Sequence, residues 1–211
     1  MWKFPEILTL KGGEKRNLQI TSKAALRKQM LRIRAELSGP YCQEADRAIL
    51  EKLMKLTVYR QADTLFLYVS MEDEVDTRKL LEHAFFQGKT VAVPRCLEKG
   101  VMGAYLIRNT EELRPGKYGI PEPQEGCRKI NPKEIALAVI PCLACSEQGV
   151  RLGYGGGYYD RYLPQTDACK IVLCRERMLC DHIPSEPHDC PVDFIITEKR
   201  IFTKNPEIHL L

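Results

Sequence analysis

From Lys23 the hydrophobic and polar positions follow a helical period, with Leu26, Met30, Ile33 and Leu37 forming one apolar stripe and either Thr21 or Ser22 available as N-cap. Lys23, Arg27, Lys28, Arg32 and Arg34 decorate the rest, as a solvated basic face would. Ser38-Gly39-Pro40 stops this helix and starts another, whose buried face carries Ala45, Ala48, Ile49, Leu53 and Leu56. The period then changes. Thr64 to Ser70 is a continuous apolar run that suits a strand buried on both faces, and Leu80, Leu81, Ala84 and Phe85 mark a helix ending at Gly88. Thr90 to Pro94 is a second strand, so the order predicts a βαβ crossover. Met102 to Ile107, Ile135 to Ile140, Lys170 to Cys174 and Phe194 to Thr197 supply further strands. Between them, Leu113 to Pro123 is too rich in proline and glycine for regular structure. The alternation argues for an α/β layer structure with a mostly parallel sheet, which binds ligands beyond the C-terminal ends of its strands.

One segment at such an end stands out. Gly149 to Leu163 runs Gly-Val-Arg-Leu-Gly-Tyr-Gly-Gly-Gly-Tyr-Tyr-Asp-Arg-Tyr-Leu. Gly153, Gly155, Gly156 and Gly157 carry no side chain, so successive backbone amides there can converge on an anion. Tyr158, Tyr159, Tyr162 and Leu163 predict a short helix whose first amides face the same anion. Arg151 and Arg161 add positive charge, and Asp160 adds an oxygen ligand suited to Mg²⁺. A dinucleotide fingerprint needs a third glycine where Tyr158 stands, and a P-loop needs a Gly-Lys-Ser/Thr ending that this stretch lacks. Glu74 also follows a strand end and is placed to share one crevice with the glycine loop.

At 211 residues the chain holds one substantial core. Residues 1–20 have no clean period and form an N-terminal extension, leaving 21–211 as a single domain. No apolar run approaches the roughly 20 residues needed to cross a bilayer, and no secretory signal precedes the early charged stretch, which points to a cytoplasmic protein. Nine cysteines then behave as reduced, small apolar residues. Cys142-x-x-Cys145 is the one metal-like spacing and lacks the second half of a zinc site. The net charge of +4 favours anionic partners.

Five blocks in order resemble the 5-formyltetrahydrofolate cyclo-ligase family over about residues 21–200. They are Lys23-Ala-Ala-Leu-Arg27, Tyr68 to Thr77, Pro115 to Pro123, Arg151 to Arg161, and Ile183 to Asp189 with Val192-Asp193 and Ile195 to Glu198. The resemblance implies ATP-dependent closure of 5-formyltetrahydrofolate to 5,10-methenyltetrahydrofolate, with ADP and phosphate released and Mg²⁺ required. It also implies a three-layer α/β/α fold related to those of ribose-phosphate isomerase and CoA-transferase.

By the same resemblance Arg151, Tyr158 and Asp160 carry the chemistry. Lys23, Ala24, Ala25, Leu26 and Arg27 hold ATP together with Arg151, Leu152, Gly153, Tyr154, Gly155, Gly156, Gly157, Tyr158 and Tyr159. The folate is held by Val69, Glu74, Tyr118, Tyr154, Gly155, Gly156, Gly157 and Tyr158, and the metal by Asp160 and Asp189. Tyr118 stands where the family often has tryptophan, and Pro141-Cys-Leu-Ala-Cys-Ser146 replaces its usual Pro-Gly-x-Ala-Phe-Asp. The expected partners are folate and Mg-ATP, with no membrane or nucleic acid, in a monomer or weak homo-oligomer. The competing readings are another phosphate- or CoA-handling enzyme on this fold and a module binding nucleic acid through its basic first helix.

Overall fold

Ser22 begins the part of the chain that the computed structural model describes, residues 22–203. Its hydroxyl accepts the amide of Ala25 at 3.3 Å and so caps α1 (Lys23–Ala35). Thr21, the other candidate cap, and the 1–20 extension lie outside the described residues. Helix α2 (Gly39–Lys55) follows with Pro40 in its first turn, then α3 (Thr57–Gln61). The expected crossover is β1 (Thr64–Leu67), α4 (Arg78–Phe86) and β2 (Thr90–Glu98), with Thr64 paired to Thr90 in parallel. Strand β3 (Val101–Ile107) returns antiparallel to β2. The remainder comprises β4 (Leu113–Pro115), β5 (Pro121–Pro123), β6 (Leu137–Ile140), β7 (Ala144–Ser146), β8 (Arg151–Leu152), α5 (Tyr158–Tyr162), β9 (Cys169–Leu173), β10 (Leu179–Cys180), β11 (Phe194–Ile196) and β12 (Ile201–Thr203).

The central sheet has seven strands in the order β12-β11-β9-β6-β1-β2-β3. The inner pairs are parallel, and β3 and β12 close the two edges antiparallel. Alternation across the pleat splits the apolar residues between two cores. Phe66, Ala92, Ala138, Ile140, Val172 and Ile195 pack on the face covered by Leu26 and Met30 of α1 and by Tyr162. Leu65, Leu67, Val91, Val93, Leu137, Val139, Ile171 and Phe194 pack on the other, against Ile49 and Leu53 of α2, Tyr59 of α3 and Leu80 and Ala84 of α4. Helices therefore cover both faces, which is why the inner strands are apolar throughout.

Three segments differ from the sequence expectation. The apolar run beginning at Thr64 leaves the sheet after Leu67, because side chains replace its ladder. Thr77 Oγ1 donates to the Tyr68 carbonyl at 2.8 Å, and Ser70 and Thr77 exchange amide-to-hydroxyl bonds of 3.2 Å each. Leu113 to Pro123 forms the antiparallel β4–β5 hairpin, whose prolines are tolerated in a two-stranded ribbon where only one edge is paired. The path from β6 into the glycine loop builds a second sheet, β10-β7-β8, in which Cys145 and Ser146 are buried.

Candidate active site

The loops that leave β1 and β6, together with the glycine loop, enclose a cavity of about 740 Å³. It lies where an open α/β sheet presents its strand ends to ligands. The Tyr68–Glu74 segment, Pro141 and residues Arg151 to Asp160 form much of its wall, with Lys23 and Arg27 from α1, Tyr118 from the hairpin and Asp189 closing the rest.

In the glycine loop, Gly155 and Gly157 have φ of +96° and +68°, in the region that side chains disfavour. None of the amides from Gly153 to Gly157 donates a hydrogen bond to another described residue. They are five donors left for a ligand or water. Arg27 Nε donates to the Gly153 carbonyl at 2.8 Å and fixes the start of the loop. Helix α5 follows its N-cap Gly157 but runs for only five residues, so the convergent amides and flanking cations, rather than a macrodipole, supply the anion attraction. Arg161 was expected to contribute charge. Its guanidinium instead donates to the carbonyls of Gly156 at 3.0 Å and Gly100 at 3.1 Å, clamping the loop to the β2–β3 turn. A Cβ on Gly157 would meet Arg161 Nη1 at 2.9 Å. Gly157→Ala therefore loses about 1–2 kcal/mol from its left-handed backbone alone. Thermal melts are expected to show a fall of about 2–4 °C per kcal/mol, and the KM for the loop's ligand rises with it; an unchanged melt would mean the loop tolerates a side chain.

Arg151 is buried, and Nη2 donates to Asp160 Oδ1 at 2.7 Å while Nη1 donates to the Pro141 carbonyl at 3.3 Å. The guanidinium also stacks on Tyr159, 5.5 Å from its ring centre. Lys23 Nζ lies 2.5 and 2.7 Å from the two oxygens of Asp189 and 2.9 Å from Glu186. Burial acts to lower the Lys23 pKa, but its bonds to Asp189 and Glu186 outweigh this and raise it; for Asp189 burial acts upward, and Lys23 with the Glu186 amide carries it below its ordinary value. Ligand atoms of Glu186, His188 and Asp189 lie within 4.8 Å of one another, an oxygen-rich set that suits a hard divalent cation.

Across the cavity sits Glu74, which is 6% exposed while Glu72 and Asp73 beside it face solvent. Its carboxylate accepts the Met71 amide at 2.9 Å. Burial raises its pKa above the ordinary value, against the pull of the Met71 amide, Arg34 and the Tyr154 hydroxyl. At the mouth, the Tyr118 and Tyr158 hydroxyls are 3.0 Å apart and their rings meet edge to face at 6.3 Å. Tyr118 is held there at φ +61°, left-handed and 70% exposed.

The cavity thus gathers Lys23, Arg27, Val69, Glu74, Tyr118, every residue from Arg151 to Asp160, and Asp189. It does not gather three others: Ala24 and Ala25 face solvent, and Leu26 is in the core. Cys142 and Cys145 are buried free thiols, and among the described residues the one metal-like group is that of Glu186, His188 and Asp189. Arg34 departs from the expected solvated face. It is buried, whereas Lys28 and Arg32 are exposed. Helical geometry held the signal, since Lys23, Arg27 and Arg34 fall within about 40° of one another around α1 while Lys28 and Arg32 lie on the far side.

The sequence model of the 5-formyltetrahydrofolate cyclo-ligase family matches residues 19–198. A Schizosaccharomyces pombe protein named probable 5-formyltetrahydrofolate cyclo-ligase is 32% identical over 73% of this chain and 84% of its own length. The Escherichia coli K12 5-formyltetrahydrofolate cyclo-ligase is 28% identical over 80% and 96% respectively. The NMR structure of Aquifex aeolicus 5,10-methenyltetrahydrofolate synthetase superposes with a TM-score of 0.76 at 28% identity, covering 86% of this chain and 92% of that one.

Proposed function

Since this chain belongs to the 5-formyltetrahydrofolate cyclo-ligase family, we propose that it closes 5-formyltetrahydrofolate to 5,10-methenyltetrahydrofolate with consumption of ATP. The observation that carries the reading is one cavity with unlike ends: unbonded loop amides beside Arg27, Arg151 and Lys23 at one, and the buried Glu74 carboxylate at the other. The first end suits a triphosphate, and the second suits the N–H donors of a pterin.

A formamide oxygen is a poor leaving group. Transfer of the γ-phosphoryl group to that oxygen releases ADP and gives an imidate-like phosphate; N10 of the folate then attacks the formyl carbon and gives up its proton, and hydrogen phosphate departs with the oxygen and that proton, leaving the closed ring. In phosphoryl transfer the protein contributes mainly positioning and charge neutralisation. Arg151, fixed by Asp160 and Tyr159, presents its charge to the phosphates without having to order itself on binding. Arg27 holds the loop through Gly153, and Lys23 supplies a second cation. Tyr118 and Tyr158 offer an aromatic edge at the mouth, against which the folate ring system can pack. Asp189, grouped with Glu186 and His188, and Asp160 after the glycine loop are the residues that would hold Mg²⁺, which would offset charge on the transferring phosphoryl group. The proposal extends to one catalytic domain over 21–211, acting in the cytoplasm as a monomer or weak homo-oligomer; nine free thiols suit such a reducing compartment.

Purified protein mixed with Mg-ATP and 5-formyltetrahydrofolate is expected to develop the absorbance of the methenyl product, with one ADP formed per ring closed. Folded protein that forms no product at any concentration would reject the reading.

A further inference from the structure

Arg34 has no role in the account so far, yet it joins four segments of the site. From the last turns of α1, Nη1 donates to the Tyr154 hydroxyl of the glycine loop and to Asp73 Oδ2 at 3.3 Å, beside Glu74. Nη2 donates to the carbonyls of Cys142 at 2.8 Å and Leu143 at 3.3 Å, past the end of β6. The guanidinium also lies 5.6 Å from the centre of the Tyr154 ring. Tyr154 and Glu74 both line the cavity. Arg34 therefore ties Tyr154 of the glycine loop to Asp73, the residue before Glu74.

The buried bonds to the Cys142 and Leu143 carbonyls anchor this arginine, but stability does not account for its reach to the two loops. Its ion pair is with an Asp73 side chain that is 51% exposed, an interaction of small worth. Its Nε is buried with no acceptor among the described residues, which carries a desolvation cost. What Arg34 does hold is Tyr154, a 44% exposed side chain in a loop whose neighbouring glycines leave the backbone free. Bonded to both Tyr154 and Asp73, Arg34 makes the glycine loop and the Asp73–Glu74 segment one unit, so a ligand that orders either one orders the other.

We propose that Arg34 is a positioning residue that couples the two ends of the cavity, holding Tyr154 and Asp73 together so that a nucleotide seated in the glycine loop also sets the Glu74 segment for the folate. The inference rests on the two-substrate reading above. Its consequence is reciprocal: each ligand binds more tightly when the other is present, because the first has already ordered a shared element.

Calorimetric titration of 5-formyltetrahydrofolate, with and without a Mg²⁺-bound non-hydrolysable ATP analogue, tests this in the native protein and in Arg34→Met, Tyr154→Phe and the double variant. The native protein is expected to bind folate at least about 5-fold more tightly with the analogue, the lower end of ordinary coupling. Each single variant loses most of that ratio, and the double variant loses no more than either single one. Native protein that binds both ligands without synergy, singles that keep the native ratio, or losses that add in the double variant would each overturn the inference. Native protein that binds neither ligand would instead overturn the ligase reading. Tyr154→Phe removes one hydroxyl from a half-exposed side chain and guards against a folding defect in Arg34→Met, and melts of both variants are run alongside.

Discussion

Arg151→Ala is expected to raise the KM for ATP by about 100-fold and to leave the KM for 5-formyltetrahydrofolate within a few-fold of the native value. Arg151 is buried and bonded to Asp160 at 2.7 Å, so its removal takes away a phosphate ligand and strands a carboxylate at the anion end of the cavity. Truncating one member of a buried, hydrogen-bonded charge pair costs about 2–5 kcal/mol, which is a factor of about 30 to several thousand at roughly 1.4 kcal/mol per decade. Asp160→Asn separates the two contributions, because asparagine can still accept from Arg151 without the charge. Initial rates at varied ATP and fixed folate, then the reverse, give both constants. Equal losses for the two substrates would contradict the assignment of Arg151 to the phosphates.

Glu74→Gln is expected to act oppositely, raising the folate KM by about 10-fold or more through loss of charge-assisted bonds of about 1.5–3 kcal/mol, while the ATP constant moves little. The same change is expected to stabilise the protein at neutral pH. Burial holds the Glu74 pKa above its ordinary 4.5 in the folded state. A carboxyl raised in this way contributes most to stability below its unfolded-state pKa, and that contribution is lost as pH rises through the folded-state value. Glutamine does not ionise and escapes the loss. Melting curves should show the variant above the native protein at pH 7.5, with the gap closing as pH falls to about 4, near the unfolded-state value. Native protein that melts higher than the variant at pH 7.5 would mean that the ionised carboxylate is fully compensated by its partners.

The parallel sheet was legible because its inner strands are buried on both faces and therefore appear as unbroken apolar runs, from Leu65 to Leu67 and Leu137 to Ile140. Where side-chain hydrogen bonds decide the backbone, hydropathy says nothing, and the departure of the chain at Tyr68 depends on Thr77 nine residues later. The edge strand β12, three residues long, offered too short a pattern to register. Within the site, the glycine loop was visible as a local motif, and Asp189 through the family resemblance. Glu74 was separable from its acidic neighbours only through the family resemblance, since burial alone distinguishes it and burial is a tertiary property. Arg34 was hidden for the same reason: its partners lie 39 to 120 residues away.

The central claim is that the amides from Gly153 to Gly157, with Arg151 and Lys23, seat the terminal phosphates of a nucleotide. A crystal structure of the protein with Mg²⁺ and a non-hydrolysable ATP analogue tests it most directly. The account predicts β- and γ-phosphate oxygens within hydrogen-bond distance of at least two of those amides and of the Arg151 guanidinium. Nucleotide bound elsewhere, with the glycine loop holding only water, would contradict it.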